Sequence, residues 1–171
     1  GFETLVVDVK EAGSNLQDEE EEVFYVSADN PVVPFFARLV GYALRDPDKK
    51  DPRTVKWSVE GTGQMRERVQ SDTDIGVFEN DLIMPSEPGA EAVVVVELIN
   101  GGAVPAKFSK VVVIPGKPSY SKIQMSGNAS AMGIGAIDVS VLVLDIHGNI
   151  VADGTSVDLS ISGDAILADY H

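Results

Sequence analysis

Histidine is the side chain best suited to move protons near neutrality, and the sequence holds two, His147 and His171. His147 falls in Asp145-Ile146-His147-Gly148-Asn149, which reads as a turn, and neither histidine has a nucleophile, a second base or a ligand beside it. Serines are plentiful, but no Gly-x-Ser-x-Gly elbow occurs. A Ser-His-Asp arrangement would have to assemble on exposed turns. Gly61-Thr62-Gly63 and Gly133-Ile134-Gly135 lack the third glycine and the strand-to-helix setting that a phosphate cradle requires, and read as strand-edge glycines. Glycosidase carboxylates would need a cleft to single them out. No catalytic or cofactor-binding residue is therefore expected, and the chain does not read as an enzyme.

Hard oxygen donors on loops suit calcium. Asp46, Asp48 and Asp51 share one polar segment, and Asp72 and Asp74 another, so these five are the candidate metal ligands and calcium the candidate ion. Their spacing departs from the twelve-residue EF-hand loop.

Composition narrows the partners. Thirteen basic and 27 acidic side chains give a formal charge of −14, which repels nucleic-acid phosphates and anionic membranes. With no cysteine, disulfides, zinc thiolate sites and thiol nucleophiles are excluded. No stretch reaches the roughly 20 apolar residues that span a bilayer as a helix. No charged and apolar leader opens the chain, and Gly1 reads as a cut end. Apolar residues at 44% and charged residues at 23% are those of a folded protein.

The elements that must position any site read as strands. Leu5, Val7 and Val9 alternate with Thr4, Val6, Asp8 and Lys10. The five acids Asp18 to Glu22 read as a solvated loop. Val23–Val26 and Phe35–Leu44 follow, separated by a turn cluster of Asp29, Asn30, Pro31 and Pro34. In the second of these, Ala37, Leu39, Gly41 and Ala43 are expected inside and Arg38 outside. Val55, Trp57 and Val59 alternate with Lys56, Ser58 and Glu60, placing the single tryptophan on a buried face. Strands near Phe78, Val93 and Val111 complete about seven, the number of an immunoglobulin-like (Ig-like) sandwich. Pro115-Gly116-Lys117-Pro118-Ser119 is a short joint. Beyond it come strands near Ile123, Val139, Val151 and Val157, with reversals at Gly148-Asn149 and Asp153-Gly154.

The ordered pattern from Ser119 to Ala165 resembles the group 1 bacterial Ig-like domain of invasin and intimin stalks. It consists of an alternating strand Ile137–Leu144, then Asp145, Gly148, Asn149, Val151, Gly154, and a second alternating strand Val157–Ile161. The order of a tryptophan strand, Gly76, Phe78, Pro85 and a valine-rich strand loosely resembles other bacterial Ig-like domains. The resemblance implies an all-β chain of tandem Ig-like β-sandwiches: residues 1–114, a linker at 115–119, and a partial group 1 unit at 120–171 whose inward-facing Val157, Leu159 and Ile161 need cover. It also implies a non-enzymatic spacer or adhesion module of a larger bacterial cell-surface or secreted protein. Its partners would be proteins: complementing strands, neighbouring Ig-like domains or a host receptor. The alternative is a carbohydrate-binding or protein-interaction module of a large secreted enzyme or toxin. Asn128-Ala129-Ser130 matches a glycosylation acceptor, which a bacterial resemblance sets aside. For the calcium candidates the expected result is an unfolding temperature that is the same in calcium and in chelator; a calcium-dependent rise would assign them a site.

Overall fold

A computed structural model describes residues 4–10, 23–40, 53–71, 76–99, 101–127, 135–163 and 166. Every element described is a strand. In order they are β1 (Thr4–Val9), β2 (Val23–Ser27), β3 (Val32–Val40), β4 (Thr54–Gly61), β5 (Gln64–Met65), β6 (Val69–Ser71), β7 (Val77–Ile83), β8 (Glu91–Leu98), β9 (Ala106–Lys107), β10 (Lys110–Ile114), β11 (Tyr120–Gly127) and β12 (Ile137–Leu144).

The first ten build two sheets. One has the order β1-β3-β7-β5, the other β2-β10-β8-β4-β6, with β9 paired to β8. All the ladders are antiparallel except β2 with β10, which is parallel. The seven long strands thus divide as in an Ig-like sandwich, with an opening segment that contributes to both sheets. Period-2 alternation decides which side chains meet between the sheets. Leu5, Val33, Phe35, Ala37, Phe78 and Leu82 of one sheet face Val55, Trp57, Val94, Val96, Val111 and Val113 of the other, all buried. Trp57 keeps its polar edge satisfied, donating from Nε1 to Gln70 Oε1 at 2.8 Å. Phe35 meets Phe108 edge to face, ring centroids 5.1 Å apart, the geometry the aromatic quadrupole favours.

All seven strands expected of the first unit are present, with Ala37 and Leu39 buried and Arg38 exposed; Gly41 and Ala43 lie outside the described residues. Pro34 is a correction. It does not end a turn but sits inside β3, opposite Asp81. Its carbonyl accepts from Lys10 N at 2.8 Å. In an extended strand a residue's N–H and C=O point to the same side, so the missing donor faces Lys10, one residue past the end of β1, and removes only the closing bond of that ladder. The polar stretch after β4 carries two short strands, β5 and β6, that alternation over two or three residues cannot announce.

After Ile114, residues 115–119 lead to a two-stranded sheet of β11 and β12, in the register Tyr120↔Leu144 to Gly127↔Ile137. The strand expected near Val151 is reduced to one bridge, Leu144↔Ile150. The strand expected at Val157–Ile161 is not formed: residues 155–162 belong to no ladder, and Val157, Leu159 and Ile161 are 45%, 41% and 45% exposed rather than buried. Alternation supplies a strand's side chains but not its neighbour. Among the described residues no strand lies beside this run to take its backbone groups.

Phe35→Ala removes a wholly buried ring and its edge-to-face partner contact. The expected loss is about 3–5 kcal/mol of unfolding free energy, read as a lower denaturant midpoint at unchanged slope.

Candidate functional site

The most tightly specified polar cluster surrounds the joint between the sandwich and the β11–β12 sheet. It is built from a turn. β12 ends at Leu144, and the next residue, Asp145, closes a five-residue loop: its N–H donates to Asn149 O at 2.8 Å and its carbonyl accepts from Gly148 N at 3.1 Å. Gly148 has φ +85°, which a side chain rarely adopts. Val151 N then donates to Val143 O at 3.1 Å, returning the chain alongside β12.

Asp145 is completely buried, and a buried carboxylate is costly unless its oxygens are satisfied. Here all are. Oδ1 accepts from His147 N and Asn149 N, and Oδ2 from Asn149 Nδ2 and Gly116 N, each at 2.9 Å. Four donors fill the roughly four lone-pair positions a carboxylate offers. Burial alone would raise the pKa. The hydrogen bonds from the Asn149 side chain and from the Gly116, Asn149 and His147 backbones outweigh it and lower the value from 3.8 to about 2.

A second carboxylate grips the joint from the sandwich side. Asp29 lies in the turn after β2, its N–H donating to Ser27 Oγ at 3.2 Å. Its Oδ2 accepts from Lys117 N at 2.9 Å, and its Oδ1 lies 3.7 Å from His147 Nε2. Gly116 passes so close that a Cβ there would collide with the Asp29 carboxylate. Asn149 Nδ2 also reaches Ser86 O at 3.2 Å, in the segment between β7 and β8. At the two ends of the joint Ala28 N donates to Ile114 O at 2.9 Å and Ser119 N to Leu144 O at 2.8 Å.

Chemically Asp145 is a holding group: four donors occupy its two oxygens. Among the described residues no three His, Asp or Glu side chains are grouped as metal ligands. Asp46, Asp48, Asp51, Asp72 and Asp74 lie outside the described residues, as does His171. Gly61 ends β4, paired with Ala92, and Gly63 precedes β5; Gly133 and Ile134 are outside the described residues. His147 joins the cluster through its backbone and its contact with Asp29. In the sequence Asp145 and Asn149 read as turn residues and Asp29 as part of a turn cluster, while nothing in it marks Ser86. The signal for Asp145 was its spacing: an Asp two and four residues before backbone N–H groups it can cap is an Asx-type turn.

The fold and the joint together define an all-β protein in which an Ig-like sandwich is hydrogen-bonded to a following sheet. No protein-family model matches the sequence, and no curated protein matches it. Its structural neighbours are intimin- and invasin-type domains. The D00-D0 domain of intimin is 14% identical, with a TM-score of 0.42 over 64% of this chain and 45% of that one. A C-terminal 282-residue intimin fragment, in complex with the intimin-binding domain of the translocated intimin receptor, is 10% identical, with a TM-score of 0.40 over 69% and 42%. The adhesin InvE of Yersinia pseudotuberculosis is 20% identical, with a TM-score of 0.41 over 88% and 36%. The chain spans less than half the length of each of these three.

Because the folded pKa of Asp145 is depressed, its carboxylate stabilises the joint fully above the ordinary value of 3.8 and loses that contribution as pH falls through about 2. The amide resonances of Gly116, His147 and Asn149 are expected to report this step between those limits. In Asp145→Asn one acceptor becomes an NH2 group facing donors, so the step is expected to vanish and the same amides to lose exchange protection at neutral pH; unchanged protection would show that the charge is not needed.

Proposed function

We propose that this chain is a non-enzymatic structural and adhesion module of a larger bacterial cell-surface or secreted protein, acting as a spacer that fixes the direction in which the following sheet projects. The observation that carries the reading is the saturated joint. A flexible five-residue connection would let its ends wander over a root-mean-square span of ~12 Å. Here the main chain of Ile114 and Ser119 is tied by backbone hydrogen bonds, and the N–H groups of Gly116 and Lys117 donate to the carboxylates of Asp145 and Asp29. The division into a first module at 1–114 and a second from 120 is part of this proposal. So is the bacterial surface setting, which the Asp145–Ile161 pattern supports. The partners proposed are proteins, as neighbouring modules and as a receptor for the parent molecule. In a spacer the working property is bending stiffness, and buried hydrogen bonds supply it where apolar contact between units is slight.

The test uses spin labels on introduced cysteines, clean in a chain with none of its own. Lys56→Cys on β4 and Ser140→Cys on β12 are both exposed. A narrow distance distribution is expected, broadening when Asp29→Ala and Asp145→Ala are added. A broad distribution in the otherwise unaltered chain would mean the joint is a flexible tether and would remove the spacer reading.

A further inference from the structure

The β11–β12 sheet is amphipathic and open. Its register places Ile123 and Met125 on one face with Val139 and Ile137, while Lys122, Gln124, Asp138 and Ser140 share the other. On the apolar face Ile123 is 64% and Met125 73% exposed, and Ile137 and Val139 about half. The outer edge of β11 has no strand beside it among the described residues. The same chain carries the complement of that edge. Residues 156–162 alternate Ser, Val, Asp, Leu, Ser, Ile, Ser, lie in no ladder, and expose Val157, Leu159 and Ile161.

We propose that two copies of this chain complete each other here: residues 156–162 of each join the free edge of β11 in the other, and the two enlarged sheets pack apolar face to apolar face.

Three observations favour a second copy as the occupant. Among the described residues the outer edge of β11 and the run 156–162 each lack a ladder partner, so a two-fold exchange satisfies both at once, as an isologous interface must. Polarity also matches: an antiparallel register that sets Leu159 against Ile123 and Val157 against Met125 puts Val157, Leu159 and Ile161 on the same face as Ile123, Met125, Ile137 and Val139. It also sets Asp158, the one charge of the donor, diagonal to Lys122, the one basic residue of β11 and β12. Area is sufficient as well. Seven half-exposed to three-quarters-exposed aliphatic side chains offer on the order of 100 Å² each. A pair of copies therefore covers about 1,400 Å², within the range of stable specific interfaces. The arrangement also removes an apolar face and an open edge that would otherwise invite aggregation.

Light scattering on the unaltered chain over a range of concentrations is expected to show a dimer of twice 18.2 kDa, with amides 156–162 protected from exchange only in the dimer. Ile123→Lys and Met125→Lys change exposed side chains outside the sandwich, so they should abolish the dimer and leave sandwich unfolding unchanged. Lys122→Glu is expected to weaken dimerisation roughly fivefold through its charge pair, and Asp158→Lys to restore it in the double variant. A monomer at every concentration overturns the proposal, whether 156–162 are protected within one chain or not. Open-ended oligomers overturn it too, as does a dimer indifferent to Lys122 and Ile123.

Discussion

Everything beyond the first sandwich hangs on how one buried negative charge is kept ionised. Among the described residues no cation lies against Asp145; its charge is held by four N–H donors at 2.9 Å, three from backbone and one from the Asn149 side chain. Backbone donors carry a geometric demand that a lysine or arginine would not. A long flexible cation can follow a carboxylate through several ångströms, whereas Gly116 N–H and Asn149 N–H point where the main chain points. Keeping the charge satisfied therefore fixes the path of residues 116 and 145–149 relative to each other. The five-residue loop and the connection are set by the same pair of oxygens.

That constraint reaches the sandwich because of one feature of its topology. β2 and β10 are parallel and in register from Lys110↔Val23 to Ile114↔Ser27, so the two strands end together. The turn after β2 and the connection after β10 leave the sheet side by side, which brings Asp29 to Lys117 N and leaves room only for hydrogen at Gly116. An antiparallel pairing would have sent that turn to the far end. β8 runs antiparallel to β10 and begins at the same end, so the segment before it presents Ser86 O to Asn149. Three chain segments distant in sequence meet at one rim because the ladder order places their ends there.

The division between what was legible in the sequence and what was not follows the range of the forces involved. Leu5, Val7 and Val9, or Val55 and Trp57, announce their strands because burial on one face imposes period 2 locally, and the side chains alone carry that signal. Asp145 looks like any turn aspartate, because its role depends on Gly116, 29 residues away, and only the fold brings the two together. Pro34 misled because the rule against proline in a ladder is a rule about its N–H. How much that missing N–H costs depends on where β1 stops, and opposite Lys10 it removes only the last bond of the ladder. β5, β6 and β9 span only two or three residues, too short for periodicity, and exist because longer neighbours offer them an edge.

Residues 156–162 show the opposite failure: the local pattern is correct and the strand is absent. A ladder belongs to two segments, and side-chain alternation in one of them can only make it a good donor. The same accounting of polar groups explains why the two ends of the β11–β12 unit behave so differently. At the Asp145 end each oxygen of the turn carboxylate and the N–H groups of Gly116, Lys117 and Ser119 have partners. Along the outer edge of β11 the backbone groups face no strand among the described residues, and the apolar side chains beside them face solvent. Orientation and closure are thus separate problems in this molecule. Hydrogen bonds within the chain solve the first, although among the described residues of the second unit only Leu144 is a buried apolar side chain. The second requires more strand than the ladders of that unit contain.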